Sequence, residues 1–234
     1  MFIIRIAELN IGIYNKYEYL ERFCKAYITD KDGQADFSVN ITEEEIDREI
    51  ASTTLNVSRG YAESICVYRA ICDTVVREYN GLLFHSAVIE KDGKGYAFSA
   101  KSGTGKSTHI SLWKKAFGDS VRVVNGDKPI VRYVNGEFLA FGTPWCGKEG
   151  YGSNTSVPLV AICFIERAKE NTIVPLSAQE AVSRVFTQIL LPSDIECFEK
   201  TADFLDKMLG SVPCYLLSCN MDVEAAHVAY GGMN

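Results

Sequence analysis

The sequence lacks the signals that mark several large classes of protein. Its eight cysteines include no C-x-x-C pair, and its three histidines form no cluster that would suggest a metal centre. No basic tract is present and the formal net charge is −6, which argues against nonspecific nucleic-acid binding. No apolar run approaches the roughly 20 residues that span a bilayer, and the first residues do not read as a signal peptide. We therefore expect a cytoplasmic protein whose partners include neither nucleic acid nor membrane.

The composition is that of an ordinary globular protein. With 47% hydrophobic and 23% charged residues, the 234 residues fit one generous α/β domain, or one domain with a small appended subdomain. Most cysteines lie in apolar runs, as Cys163 does within residues 161–165. We therefore expect buried free thiols in a reducing compartment.

A glycine-rich motif stands at a predicted strand-to-helix turn. Residues 100–108 read AKSGTGKST, after a strand-like run and before helical apolar spacing. Glycines there let successive backbone N–H groups point inward, and the helix N-terminus adds its dipole. Lys106 is expected to meet the β- and γ-phosphates and the Ser107 hydroxyl to ligate Mg²⁺. The motif predicts a Walker A phosphate loop that binds nucleotide through Ser102, Gly103, Thr104, Gly105, Lys106, Ser107 and Thr108.

That motif departs from the usual pattern at its first position, where Ala100 replaces glycine. The alternative interpretation is a solvated Gly/Ser/Lys turn that only caps a helix. The strand before the motif and the helix after it favour the phosphate loop.

The first third of the chain predicts a small β-rich lobe. Short β-like runs at residues 2–7, 11–14 and 37–41 are separated by turns, one of them at 30–33. A capping box at Thr42 predicts a short helix, and core-like spacing predicts a longer helix over 58–79. We predict an N-terminal lobe at residues 1–80 that packs on a catalytic domain at 81–234.

The rest of the chain mixes hairpins with helices. An Asn-Gly turn at 135–136 predicts a hairpin, and another hairpin leads into the glycine-rich motif. Frequent hairpins predict a mixed sheet with flanking helices. The predicted strands are 82–89, 96–99, 121–124, 130–133, 138–141, 159–165 and 214–218, and the predicted helices are 178–191, 199–209 and one from 222.

Asp127 is the main candidate carboxylate. It ends an apolar strand about 20 residues after Lys106, the order in which an acidic group reaches the metal of a phosphate loop. Two roles are open: it holds Mg²⁺, or it accepts the proton of an attacking hydroxyl. The alternative is that Asp127 only shapes an Asn-Gly-Asp turn.

His85, Lys148 and Trp145 are further candidates, each with a structural alternative. A histidine on an apolar run is more often a satisfied core group than a catalyst. The segment 142–152 contains four glycines, so it either wraps a ligand or moves, and Lys148 is its natural cation for a transferring phosphoryl group. A surface loop with a solvated lysine is the alternative. Trp145 either stacks on a ligand or anchors the loop.

Three segments in this order resemble a known family. Residues 84–88 read FHSAV, residues 102–107 read SGTGKS and residues 123–127 read VVNGD. The order resembles the catalytic domain of HPr kinase/phosphorylase and its HPr-kinase-like relatives, which share a P-loop fold with phosphoenolpyruvate carboxykinase. That family has a histidine on the strand before its loop, a Ser-Gly-x-Gly-Lys-Ser loop and an Ala-Asp-Asp strand end. The likeness spans roughly residues 82–220.

The resemblance implies roles for matching residues. His85 would lie near the transferred phosphate, and Asp127 would match the second aspartate of the family. Gly126 replaces the first aspartate, and the Arg-Gly-Leu-Gly signature of the bifunctional enzymes is not found. Both departures argue against a phosphorylase reaction and against HPr itself as the substrate. The resemblance implies a hexamer for some relatives and leaves open whether this chain forms a homo-oligomer.

The prediction is an α/β P-loop kinase of the HPr kinase/phosphoenolpyruvate carboxykinase type, with ATP or another nucleoside triphosphate and Mg²⁺ as cofactors. It would transfer phosphate to a hydroxyl of a peptide, a small protein or a small metabolite. A nucleotide-binding sensor or scaffold without phosphotransfer and a nucleoside triphosphatase stay open as alternatives. The predicted catalytic residues are Asp127, Lys106, His85 and Lys148, and the predicted metal ligands are Ser107 and Asp127.

Overall fold

A computed structural model of the chain describes residues 1–29, 34–190 and 194–234. The turn expected at 30–33 lies outside the described residues. In the described ranges the strands are β1 (Phe2–Ile6), β2 (Leu9–Tyr14), β3 (Phe37–Asn40), β4 (Gly81–Leu83), β5 (Ser86–Lys91), β6 (Lys94–Ser99), β7 (Val121–Asn125), β8 (Ile130–Val134), β9 (Glu137–Phe141), β10 (Ser156–Arg167), β11 (Thr172–Leu176) and β12 (Cys214–Cys219). The helices there are α1 (Glu18–Phe23), α2 (Glu43–Ala51), α3 (Arg59–Glu78), α4 (Lys106–Phe117), α5 (Ala178–Phe186), α6 (Ile195–Ser211) and α7 (Glu224–Gly232).

The strands form two sheets, and both are mixed. In the N-terminal sheet β1 pairs antiparallel with β2, and β2 pairs parallel with β3. The larger sheet of the described chain has the order β4-β8-β9-β10-β6-β5-β7, and β12 pairs with β10 and with β11. The hairpins β5–β6 and β8–β9 supply two of its antiparallel pairs, while β10 pairs parallel with both β6 and β12. The prediction of an α/β chain with a mixed sheet and flanking helices is confirmed.

One edge of the large sheet collects the ends of several strands. Since β5 is antiparallel to both β6 and β7, strands β6 and β7 run in the same direction as β10 and β12. The C-terminal ends of these four strands therefore lie at one edge, where β5 begins. We call this edge the carboxyl edge. The glycine-rich loop at 100–105 leaves β6 there.

Alternating side chains on the strands build a core on each face of the large sheet. On β5, Val88 packs on the face covered by α5 and α6, and its neighbours Ala87 and Ile89 pack on the face covered by α4 and α7. A third cluster joins the N-terminal sheet and α3 to Leu83 and Phe141 of the large sheet. The division into domains at residues 80 and 81 stays a prediction.

Several local predictions agree with the structure and several do not. The capping box at Thr42 is present, and α3 follows the predicted long helix. The run 82–89 is broken between β4 and β5, because the N–H of His85 donates to the Gln188 carbonyl 2.7 Å away instead of to a neighbouring strand. The helix predicted at 178–191 is wrong in its extent, since α5 ends at Phe186. Helix α6 begins earlier than predicted, and α1 and β11 were not predicted.

All eight cysteines carry free thiols, and six of them are buried, in agreement with the sequence. Burial raises the pKa of the Cys24 thiol to about 12, so that thiol is neutral at physiological pH. Of the helices in the described residues, none is both long and apolar enough to cross a membrane.

Candidate functional site

A cavity of about 450 Å³ opens at the carboxyl edge. Its walls come from the residue before β5, the loop after β6, the first turn of α4, the turn after β7 and the 142–152 segment. Of the residues predicted to bind or react, Thr104 alone lies outside its lining. The predicted residues that line it are His85, Ser102, Gly103, Gly105, Lys106, Ser107, Thr108, Asp127 and Lys148.

The 100–105 loop requires glycine because of its backbone conformation, and not because a side chain would lack room. Gly103 has φ +77° and Gly105 has φ +137°, a region that side-chain-bearing residues rarely adopt, and a Cβ at either position would have no atom within 4 Å. Gly105 is the N-cap of α4, and no side chain caps that end. The first N–H groups of α4 are thus presented to the cavity without a side-chain acceptor, a setting that suits an anion.

Lys106 is folded back into the wall of the cavity. Its side chain is buried, and its Nζ donates to the Ala100 carbonyl at 2.9 Å and lies 3.0 Å from His85 Nε2. An ammonium has three donors, so this arrangement leaves one for a ligand oxygen. Burial lowers the pKa of Lys106, and the charge of Asp127 opposes that shift.

His85 joins the lysine to the aspartate. Its Nε2 is 3.0 Å from Lys106 Nζ and 3.1 Å from Asp127 Oδ1, and its Nδ1 is 3.0 Å from Gln188 Oε1. With a proton on Nδ1, the ring donates to Gln188 and Nε2 accepts from Lys106. When Nε2 is protonated as well, it donates to Asp127. The ring can therefore change its partner at Nε2 with its protonation state.

The turn that presents Asp127 is built by the buried side chain of Asn125. The Asn125 Oδ1 accepts from the N–H of Asp127 at 2.9 Å and from that of Lys128 at 2.8 Å, and its amide donates to Thr143 at 3.1 Å. The Thr143 hydroxyl in turn donates to the Lys128 carbonyl at 2.8 Å. The position of the Asp127 carboxylate is thus fixed by groups that are themselves buried.

The electrostatic setting keeps Asp127 ionised. Burial by itself would raise the pKa of Asp127, but the hydrogen bond with His85 and the positive charges of His85, Lys128 and Lys106 outweigh burial and hold the pKa below its ordinary value. A carboxylate in this state is an oxygen ligand for a cation at neutral pH, and it is a weak base that needs a close proton donor.

The 142–152 segment is packed against the turn after β7. The N–H of Gly126 donates to the Tyr151 carbonyl at 2.7 Å, and that of Ser153 donates to the Val124 carbonyl at 3.1 Å. A Cβ at position 126 would lie 3.0 Å from the Cys146 carbonyl oxygen and 3.1 Å from that of Tyr151. The segment therefore occupies the space into which a side chain at position 126 would project.

Trp145 and Lys148 have different places in that segment. Trp145 is buried, with its ring 4.6 Å from that of Tyr68 and 5.8 Å from that of Phe23, so it anchors the segment and does not stack on a ligand. The Lys148 side chain is 91% exposed, and its Nζ lies 4.0 Å from Glu149 Oε1. Lys148 thus reaches the rim of the cavity as a cation that solvent surrounds.

Residues next to the loop hold it in shape. The Arg167 guanidinium, at the end of β10, donates from Nε to the Thr104 carbonyl at 3.0 Å and from its other arm to the Gly103 carbonyl. His109 is buried beneath the loop, where its Nε2 accepts from Trp113 Nε1 at 2.9 Å and burial lowers its pKa to about 3. His109 is therefore a neutral packing group.

The protein oxygens at this cavity are too few to bind a metal ion by themselves, so a metal ion would need further oxygens from a bound phosphate. Within the described residues no group of three or more His, Cys, Asp or Glu side chains is placed to hold a metal ion. The Ser107 hydroxyl and the Asp127 carboxylate line the same cavity. Two protein oxygens of this kind fit Mg²⁺, which keeps several waters and takes further oxygens from a phosphate.

Three residues that position the site were not predicted from the sequence: Gln188, Asn125 and Thr143. Gln188 follows the C-terminus of α5, more than a hundred residues from the histidine that it holds, and nothing in its local sequence marks it. The role of Asn125 could have been predicted from the sequence, because an asparagine at the end of a strand often forms a hydrogen bond to the backbone two residues further on. The acceptor for its amide, Thr143, lies in another element.

Comparison with known proteins gives a family and distant structural likenesses. Residues 61–224 match the family model described as SynChlorMet cassette protein ScmC. No curated protein matches the sequence. Among solved structures, the Hpr(Ser) kinase/phosphatase from Coxiella burnetii aligns over 64% of this chain and 89% of its own, with 8% identity and a TM-score of 0.37. A likeness of that size carries no weight about activity.

Proposed function

The chain belongs to the family of the SynChlorMet cassette protein ScmC, and from that premise and the geometry of its site we propose that it is an ATP-dependent, Mg²⁺-requiring phosphotransferase. Its acceptor is a hydroxyl of a peptide, a small protein or a small metabolite. The family name states no reaction, so the support comes from the side chains at the carboxyl edge.

The observation that carries the proposal is the meeting of Lys106 and Asp127 at one ring nitrogen of His85. The Nζ and Oδ1 atoms lie 3.0 and 3.1 Å from Nε2, beside a loop whose glycines adopt positive φ. A cation, an acid–base group and a carboxylate beside an uncapped helix N-terminus are the groups that phosphoryl transfer requires. A helix-capping turn with no ligand would require none of these contacts.

In the proposed reaction the 100–105 loop and the start of α4 bind the β- and γ-phosphates. The Lys106 ammonium turns its third donor to a phosphate oxygen and stabilises the charge that develops on the leaving diphosphate. The acceptor oxygen forms a bond to the γ-phosphorus as the bond to the β,γ-bridging oxygen breaks. The acceptor proton passes to the Asp127 carboxylate, which His85 holds in place when Nε2 carries a proton; Lys106 then no longer donates to that nitrogen and has a further donor free for phosphate.

Ser107 and Asp127 would hold Mg²⁺ together with oxygens of the bound phosphates. The ion supplies neutralisation of phosphate charge. If Asp127 takes the other role that the sequence left open and ligates the metal, the proton would instead pass to His85 Nε2. In that case Gln188 keeps the ring oriented through Nδ1.

The test measures ADP formation from ATP and Mg²⁺ with and without candidate hydroxyl acceptors, and examines the acceptors by mass spectrometry. We expect phosphate on an acceptor and a turnover that depends on that acceptor. Phosphate release at the same rate with no acceptor would identify a nucleoside triphosphatase. Binding of ATP without turnover on any acceptor would identify a sensor or scaffold. Either of the last two results overturns the proposal.

A further inference from the structure

A second cavity, of about 390 Å³, lies on the opposite flank of the 100–105 loop from His85 and Asp127. The two cavities share Gly103, Gly105 and Thr108 in their walls. The second one is bounded by α4 on one side and by the ends of β10 and β12 on the other. We call it the flank cavity.

The lining of the flank cavity is apolar where the other cavity is charged. Leu112 of α4 and Ile165 of β10 contribute aliphatic side chains, and Cys219 ends β12 beside them. The single ionised side chain in its lining is Arg167, whose guanidinium is bound to the carbonyls of Gly103 and Thr104. A concave apolar space with few fixed polar groups is typical of a site for an uncharged planar ligand.

The mouth of the flank cavity carries an exposed hydrophobic side chain on a fixed turn. Met221 is 77% exposed and lines the cavity. The preceding residue, Asn220, is held at both ends of its amide: Oδ1 accepts from the Asp222 N–H at 2.9 Å and Nδ2 donates to the Lys169 carbonyl at 3.0 Å. A flexible thioether at a cavity mouth can cover the face of a ligand ring.

We propose that the flank cavity binds the nucleoside of the nucleotide whose phosphates the 100–105 loop binds. This inference rests on the proposed function. In sheets with parallel strands, ligands bind outside the carboxyl ends of the strands, and the flank cavity lies at the ends of β10 and β12. The shared loop lets one molecule extend from one cavity into the other. The base then lies on the β10 and β12 flank, and the terminal phosphate points to His85 and Asp127.

If the nucleoside lies in the flank cavity, the affinity for ATP has two contributions, one from the phosphates and one from the base with its ribose. Inorganic tripolyphosphate has the first and lacks the second. Ala168 is exposed, lines the flank cavity and holds its place through a backbone hydrogen bond to the Cys219 carbonyl at 2.9 Å, which any residue except proline can make. Ala168→Trp would therefore place a large ring in the flank cavity, at a position that does not line the cavity of His85 and Asp127.

The experiment measures dissociation constants of the Mg²⁺ complexes of ATP and of tripolyphosphate by calorimetry, for the parent, for Ala168→Trp and for Ala51→Trp as an exposed control on α2. The parent should bind ATP at least about tenfold more tightly than tripolyphosphate, because burial of a base is worth more than about 1.4 kcal/mol. Ala168→Trp should remove that difference and leave tripolyphosphate binding unchanged, while Ala51→Trp changes neither. Circular dichroism and the melting temperature without ligand check folding.

Different outcomes would show that the nucleoside site is wrong or that the proposed function itself is wrong. If tripolyphosphate binds and Ala168→Trp leaves the preference for ATP intact, the nucleoside lies elsewhere and the inference is wrong. If Ala168→Trp weakens both ligands equally, the flank cavity acts only through the loop, and the inference is also wrong. If neither ligand binds the parent, the proposed function is wrong, and the inference that rests on it is wrong as well. Met221→Ala serves as a second variant and should weaken ATP alone, by about threefold.

Discussion

Two glycine-rich segments face the same cavity, and each has a glycine that is required for a different reason, Gly103 in one and Gly142 in the other. In the 100–105 loop, a Cβ on Gly103 would meet no atom within 4 Å, and glycine is required by a φ of +77°. At the start of the 142–152 segment, a Cβ on Gly142 would lie 1.8 Å from the Ser153 carbonyl oxygen, and no positive φ is involved. Space beside the backbone is open at Gly103, whereas it is already filled at Gly142 and at Gly152; Gly147 and Gly150 of the second segment have positive φ, as Gly103 does.

This difference distinguishes a position that can face a ligand from a position that holds neighbouring residues in place. An open loop with inward N–H groups has room for a ligand, whereas a segment pressed against β7 and Asp127 holds neighbouring groups in position. A Cβ on Gly147 would lie 3.2 Å from Asp127 Cβ, so the packed segment also bounds the carboxylate. The density of glycine in a sequence therefore does not distinguish a ligand-binding loop from a packed one.

Removing the cation of the open loop should give the largest loss. Lys106→Ala is expected to lower turnover by about 10³-fold or more, because the charge on the leaving diphosphate loses its stabilising ammonium. The fold should survive, since the Nζ serves the cavity and the loop and not a hydrophobic cluster. The measurement is turnover together with the rise in melting temperature on adding ATP and Mg²⁺. Lys115→Ala, an exposed lysine on the same helix, is the matched control, and an equal thermal shift in Lys106→Ala and the parent would contradict the assignment.

Substituting one glycine from each segment tests the comparison directly. Gly142→Ala should lower the free energy of unfolding by about 3 kcal/mol, since the added methyl group overlaps backbone on both sides. Gly103→Ala should cost about 1 kcal/mol, the strain of a positive φ alone. Urea denaturation of both variants and the parent measures these losses. Similar values for the two variants would remove the distinction between open and packed glycines.

The carboxylate between the two segments is the next target. Asp127→Asn keeps the shape of the side chain and removes its charge, so turnover should fall by about 10²-fold with little loss of stability. Because the pKa of Asp127 lies below the ordinary value of 3.8, its protonation should inhibit the parent only below pH 3.8. Turnover measured against pH in both proteins checks this. An unchanged rate in Asp127→Asn would assign the carboxylate role to another residue.

The smallest effect is expected from the exposed cation of the packed segment. If Lys148 approaches the phosphoryl group only during transfer, Lys148→Ala should lower turnover by about tenfold and change the ATP dissociation constant by less than about twofold. Both constants are measured side by side on one preparation. Equal changes would make Lys148 a plain nucleotide contact, and no change would make the 142–152 segment purely structural.

Much of the fold follows from local sequence, and much of the site does not. The Asn-Gly hairpin, the capping box at Thr42 and α3 are encoded in short windows with strong turn, cap or periodicity signals. The break before β5 was missed because its cause, the Gln188 carbonyl, is remote in sequence. Strand β11 was missed because its outer face is exposed and carries Pro175, which weakens the strand signal.

The sequence predicted that Lys106, Asp127 and His85 belong to one site, and their side chains lie within hydrogen-bond distance of one another through His85. Their roles stay predictions. The sequence could not distinguish a ligand-stacking Trp145 from a buried one, since that depends on Tyr68 and Phe23 of other helices. It also could not show that the space beside Gly126 is filled by the carbonyls of residues 146 and 151.

The contacts of His85 also bear on the order in which the chain folds. The ring bonds to residues 42 and 103 positions further along the chain. Contacts of such separation form late, because closing a long loop requires a large loss of chain entropy first. During synthesis the 100–105 loop therefore exists well before Gln188 is present to orient the imidazole. A chain that ends before residue 188 lacks the group that orients the histidine, so the site is complete only once residue 188 has been made.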